Sequence, residues 1–234
     1  MLKDTDLRKA IRYGINKDEI IGNIYKGSYF KANFPLNTNS YLVEDKNESY
    51  FDLSKMEEYL KNAGWTYRRS GWQKTIDYKT KKLELTMVVR KNSNRAEVAD
   101  YISQSLSEQG ILVNVLKVSD SDYSKYIQSR NYDMILAEMT NPIAPDLTSY
   151  FGNGNLANFN NNEAKEILQN IRNMTNEEEL KTNFTKLYNI YDSEVPFIGI
   201  GRNKIYVITN SYLNGEMASK WYNLYFKFND WYTN

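Results

Sequence analysis

LELTMVVR at 83–90, ILVNVLKV at 111–118 and YDMILAEM at 132–139 are three apolar, β-branched runs, and the spacers between them carry helical patterning. The first spacer opens at NRAE (94–97), places Val98, Ile102 and Leu106 on one face and stops at Gly110. The second, DSDYSKYIQS (120–129), carries Tyr123, Tyr126 and Ile127. Recurrence at i, i+4 and i+8 marks a helix, and short apolar runs between breakers mark strands. Strand–helix–strand–helix–strand with short links forces right-handed crossovers, so the expected fold is α/β with a mainly parallel central sheet flanked by helices. Ligands of such sheets gather beyond the carboxyl ends of the strands. That points to the segment after Met139, TNPIAPD (140–146), whose two prolines fix the backbone while Asn141 and Asp146 supply polar groups.

Upstream, Leu7, Ile11 and Ile15 predict a helix capped by Asp4 or Thr5, and Asn16 caps a second through Ile20, Ile21 and Ile24 to Gly27. Ser28 to Tyr50 reads as polar and irregular. Ser54 to Glu57 has the spacing of a capping box for a helix through Met56, Tyr59, Leu60 and Ala63, closed by Gly64. Trp65 to Tyr78 reads as a hairpin turning at 69–71. Downstream, Glu163–Met174 and Asn176–Tyr191 are amphipathic helices, and VPFIGIG (195–201) with IYVIT (205–209) reads as a hairpin around Arg202-Asn203. A lobe over 1–210 is thus followed by a tail, 211–234, crowded with Trp221, Tyr222, Tyr225, Phe226, Phe228, Trp231 and Tyr232. The tail is expected to pack toward another lobe.

Composition narrows the chemistry. The 234 residues are 41% hydrophobic and 25% charged, with a net charge of +1, which argues against a nucleic-acid footprint. The sequence has neither Cys nor His. Ser–His–Asp and Cys–His nucleophile systems are therefore excluded, as are zinc sites of the Cys/His kind. No run approaches the roughly 20 apolar residues of a membrane span. The first residues lack the apolar stretch of a signal peptide, so the reading is either a cytosolic protein or a piece whose export signal lies upstream. Gly152-Asn-Gly154 and Gly199-Ile-Gly201 are too short for phosphate-binding fingerprints and read as turns. Asp133, Glu138 and Asp146 are the carboxylates a glycosidase-type pair would draw on, but Asp133 and Glu138 lie at opposite ends of one predicted strand.

The order of these segments resembles the C-terminal part of family 5 solute-binding proteins, the oligopeptide, dipeptide and nickel binders of ABC importers. The resemblance rests on LRKAIRYGINKDEII (7–21) followed by Lys26-Gly27, on KMEEYLKNAGW (55–65), on residues 99–113, on NYDM (131–134), on residues 145–151 and on Val195-Pro196. It implies a periplasmic-binding-protein-like lobe of type II, exported and not an enzyme, without cofactor or metal. This lobe would close with an N-terminal lobe around a peptide or other small solute and dock on permease subunits. It implies an extracellular or periplasmic site, with membrane association only through an upstream lipid anchor. The candidate ligand-binding residues are Glu138, Thr140, Asn141, Ile143, Asp146 and Tyr150. In peptide-binding members an aspartate after the third strand pairs with the ligand's amino group; the nearest position here is the uncharged Asn141, which leaves Glu138 or Asp146 for the role. The family often carries a Trp near Glu138, and this sequence departs there. Two other readings stay open: a carboxylate-based hydrolase, and an interaction or sensor module on the same lobe.

Overall fold

A computed structural model describes residues 1–36, 40–43, 49–69, 71–142, 144–206, 208–209, 212–215, 220, 223 and 225–233. The chain opens with α1 (Thr5–Tyr13), capped by the Asp4 carboxylate on the amides of Asp6 and Leu7. Asn16 caps α2 (Lys17–Glu19), which widens into a π-turn at Ile20–Ile24. A short strand, β1 (Tyr29–Lys31), lies inside the stretch expected to be irregular, and Phe34, Leu42 and Val43 from the same stretch are buried. Helix α3 (Leu53–Asn62) is capped by Asp52 rather than by a box at Ser54. The carboxylate two residues earlier already holds the amides of Ser54 and Lys55.

The expected hairpin is present and gains a third strand: β2 (Thr66–Arg68), β3 (Gly71–Ile76) and β4 (Lys79–Lys82) form an antiparallel meander. The central sheet follows with β5 (Glu84–Arg90), α4 (Arg95–Glu108), β6 (Leu112–Val118), α5 (Asp120–Ser129) and β7 (Met134–Ile135). Its order is β6-β5-β7 and both pairings are parallel, as the crossover argument requires. The third strand is much shorter than 132–139. Asp133 and Thr86 bond reciprocally at its start, and the Leu136 amide reaches the Val88 carbonyl. The Tyr123 hydroxyl then donates to the Leu136 carbonyl at 3.0 Å, and the chain leaves the ladder.

The remaining elements are α6 (Thr148–Phe151), α7 (Asn162–Ile171), α8 (Glu177–Glu194), β8 (Gly201–Asn203), β9 (Leu213–Asn214), a 3-10 turn at Phe228–Asp230 and β10 (Tyr232–Thr233). The hairpin expected over 195–209 is not seen among the described residues. Instead β8 pairs antiparallel with β1, far upstream, and Ile208 is solvent-exposed. Gly199 makes the alternative possible: a Cβ there would sit 2.3 Å from the Asn33 carbonyl oxygen, so only glycine lets the two backbones approach. In the tail, β9 pairs with β10; Tyr225, Phe226, Phe228 and Tyr232 are exposed, while Trp221 and Tyr222 lie outside the described residues.

Two apolar cores result. One gathers α1, α3, α4, β5, β6 and the meander's Trp72 around residues such as Leu60, Leu85 and Leu106; the other gathers Phe34, Phe151, Phe184, Leu187 and Tyr191 between α6, α7 and α8. Each fully buried Leu or Phe contributes about 1.5–3 kcal/mol. The two cores are joined by polar clasps from α1. Arg8 donates to the Glu194 and Val195 carbonyls at the end of α8, and the buried Arg12 pairs with Asp192 at 2.9 Å. Tyr50 covers the Arg12 guanidinium at 4.1 Å and donates its hydroxyl to the same carboxylate.

Candidate functional site

An open concavity of about 1880 Å³ runs along the seam between the two cores. That exceeds the ~300–1,000 Å³ typical of a small-molecule pocket. Its walls are the segment 134–142 past the carboxyl end of β7, the segment 194–203 leading through β8, and residues 29–36 around β1. Residues 137–142 and 196–199 belong to no helix or strand, and Val195 at the end of α8 turns the chain with a φ of 48°. The position agrees with the expectation that ligands gather beyond the strand tips of a parallel sheet.

The predicted residues divide into three groups. Glu138 and Thr140 are exposed in the concavity. Glu138 is ion-paired with Arg95, the first residue of α4; the carboxylate is 56% exposed and the guanidinium only 18%. Asn141, Asp146 and Tyr150 also line the concavity, but their side chains are engaged within the protein. Asn141 donates to the Pro35 carbonyl at 2.8 Å and accepts from the Tyr150 hydroxyl at 2.7 Å, bracing the loop against the β1 segment. Burial raises the Tyr150 hydroxyl above its ordinary pKa, and its ring packs on Phe197. Asp146 makes an Asx turn at the entry to α6, accepting from the Thr148 hydroxyl and amide. Those bonds, Thr148's hydroxyl first, hold its pKa below the usual carboxylate value, helped by Arg172. Ile143 lies outside the described residues.

Sequence reasoning missed the partners across the seam. Tyr25 and Tyr29 stack with ring centroids 3.8 Å apart and line the concavity together with Arg95 and Glu138. Burial chiefly, then Tyr29, pushes the Tyr25 hydroxyl up to about 12, with Arg95 opposing and Glu138 adding to the shift. The cluster offers an aromatic face beside paired opposite charges, suited to holding a polar main chain or a zwitterionic end group. Only the i, i+4 spacing of the two tyrosines across Gly27 is visible in the sequence. Arg95 is separated from both by the α3–β5 segment.

The carboxylates make no acid–base pair. Asp133 is spent on the Thr86 amide at 2.9 Å, and Glu138 is held by Arg95. Among the described residues no cluster of three or more His, Cys, Asp or Glu could hold a metal ion. No helix there is long and apolar enough to cross a membrane.

The family model described as bacterial extracellular solute-binding proteins, family 5 Middle, matches residues 1–162. The heme-binding protein A of Haemophilus influenzae is 23% identical over 208 residues, which is 84% of this chain and 36% of that protein. Among solved structures, NikZ from Campylobacter jejuni in complex with Ni(L-His) superposes with a TM-score of 0.79 at 21% identity, covering 99% of this chain and 49% of that one. The oligopeptide-binding protein AppA of Bacillus subtilis, in complex with a nonapeptide, gives 0.77 at 16% identity, covering 100% and 48%. The fold is that of a type II periplasmic-binding-protein-like lobe, and the chain spans about half the length of these structures and a smaller share of the curated relative.

Proposed function

The chain belongs to family 5 of the bacterial extracellular solute-binding proteins, which are not enzymes but carry solutes to ABC importers outside the cytoplasm, and from that premise we propose that it forms one wall of an oligopeptide site. The observation that carries this reading is the concavity itself. It is large, and it is bordered by two segments, 137–142 and 196–199, whose main chain belongs to no helix or strand. Main-chain bonding supplies affinity without reading side chains, which suits peptides of varied sequence. The ion-paired Arg95 and Glu138 beside the Tyr25–Tyr29 stack would receive a charged terminus of the peptide, with Thr140 further along the same wall. The absence of His and Cys from the sequence speaks against direct metal capture.

In this reading residues 1–210 are the lobe, and the exposed aromatics of 211–234 pack toward an N-terminal lobe that supplies the facing wall. Closure of the two lobes excludes water and strengthens each charge-assisted bond. The closed form docks on the permease. The protein works outside the cytoplasm, either periplasmic or held at the cell surface by a lipid anchor upstream.

The test is calorimetric titration of the two-lobed protein with peptides of several lengths and unrelated sequences. Saturable binding that tolerates sequence change and weakens about tenfold or more in Arg95→Ala is expected, since a lost charge-assisted bond is worth about 1.5–3 kcal/mol. Binding of a metal chelate, a porphyrin or an oligosaccharide with no response to any peptide would refute it.

A further inference from the structure

The β2–β3–β4 meander stands apart from the concavity: none of residues 66–82 lines it. Over that stretch the sequence places six cationic side chains, Arg68, Arg69, Lys74, Lys79, Lys81 and Lys82, against a single acid, Asp77, in a chain whose net charge is only +1. Lys74 is used internally, donating to the Ala63 carbonyl at the end of α3. The other five are exposed and make no ion pair among the described residues. Lys74 and Lys81 sit directly across the ladder, so the strands tolerate there the like-charge repulsion that cross-strand pairs normally avoid.

The tip is more informative still. Asp77 and Tyr78 form the two-residue turn between β3 and β4, both with positive φ, at 51° and 61°. Such turns favour Asn-Gly or Asp-Gly, and a bulky residue at the second position is strained. Tyr78 nevertheless occupies it, fully exposed and packed on nothing. A strained, unsupported aromatic earns no stability in the folded chain, which directs attention to a contact made outside it.

We propose that the β3–β4 hairpin is a contact for an anionic lipid surface, with Tyr78 entering the headgroup layer and Lys79, Lys81 and Lys82 facing its charge, while Arg68 and Arg69 lie at the far end of β3, beside Gly71. Lysines spread over both faces of a hairpin, with no pocket and no fork geometry between them, act as point charges and suit a diffuse negative surface better than a single carboxylate partner. Tyrosine is at home at the membrane–water interface. Because the concavity is separate, the contact is compatible with any solute held there and does not depend on its identity.

The test uses the 234-residue chain without lipid modification, in co-sedimentation with phosphatidylcholine vesicles and with vesicles of phosphatidylcholine and phosphatidylglycerol. Partition to the anionic vesicles alone is expected, weakening as salt is raised. Each lysine removed should lower it about fivefold, so Lys79→Glu, Lys81→Glu and Lys82→Glu combined should abolish it while circular dichroism stays unchanged. Tyr78→Gly separates the proposal from a structural role: it should raise or preserve the melting temperature by relieving the turn, yet weaken partition, and Tyr78→Trp should restore partition. Equal binding to neutral vesicles, no binding to either, or full binding by the lysine variant would overturn it. So would lysine-dependent binding to a permease in neutral lipid with none to anionic lipid alone, which would assign the meander to a protein partner.

Discussion

Asp192→Asn removes the carboxylate paired with a guanidinium whose side chain is 3% exposed, while the carboxylate itself is 48% exposed. The asymmetry sets the magnitude. Water can solvate whatever stands at 192, but it cannot reach Arg12, whose Nε already lacks a hydrogen-bond partner. The buried cation would keep the Asp192 main-chain oxygen at 3.2 Å and the faces of Tyr50 and Tyr13, so part of its compensation survives. Losing a hydrogen bond to a charged group costs about 1.5–3 kcal/mol, and the surviving contacts place this case near 2 kcal/mol. At about 2–4 °C per kcal/mol for a domain of this size, the melting temperature should fall by about 4–8 °C. Urea titration checks the origin: the midpoint should drop with the slope unchanged, since the exposed surface is the same. Arg12→Met removes the stranded charge, so the double variant should lose less than the sum of the two single losses, with a coupling of about 1 kcal/mol. A loss under about 0.5 kcal/mol for Asp192→Asn, the scale of an ordinary surface change, would refute the argument that Arg12 is held by this carboxylate.

Gly199→Ala should destabilise by about 3 kcal/mol, at the upper end for overpacking, because the new methyl meets a backbone oxygen that cannot turn aside; calorimetric melting reads it, and a neutral result would mean that the β1 segment yields. Tyr25 is raised to about 12 in the folded protein against an ordinary value of 10.0, so its stabilising contribution is complete below 10.0 and is lost as pH rises through 12. Stability curves of the protein and of Tyr25→Phe should therefore diverge only in that alkaline window. Asp146 is depressed below 3.8, so its contribution is present above that pH and fades as acid carries it through its folded value. Asp146→Ala should cost about 1 kcal/mol near neutrality and nothing in strong acid, by urea titration at both.

The parallel sheet was legible because every link in it is short. The apolar runs of β5 and β6 and the Val98–Ile102–Leu106 stripe between them are local signals, and the handedness of crossovers does the rest. The third strand was overestimated because MILAEM has the composition of a strand, whereas its ladder stops at Ile135 although β5 runs on to Arg90, the Tyr123 hydroxyl taking the Leu136 carbonyl. The expected hairpin over 195–209 is not seen among the described residues for a different reason: the partner of β8 is β1, which periodicity cannot join to it across most of the chain. The site shows the same division. The loop past Met139 lines the concavity beyond the strand tips, but the Pro35 carbonyl that occupies Asn141, the Arg95 that holds Glu138 and the Tyr25–Tyr29 stack come from other segments and meet only after folding.

Gly110, which ends α4 at a φ of 82°, also lies against β3: a Cβ on it would be 3.0 Å from the Gly71 Cα and 2.7 Å from the Tyr67 ring, and the Trp72 amide bonds its carbonyl. With no side chain between them, the two backbones meet without a cushion. The meander is thereby seated on the α4–β6 corner backbone to backbone, and a side chain at either glycine would pry the two apart.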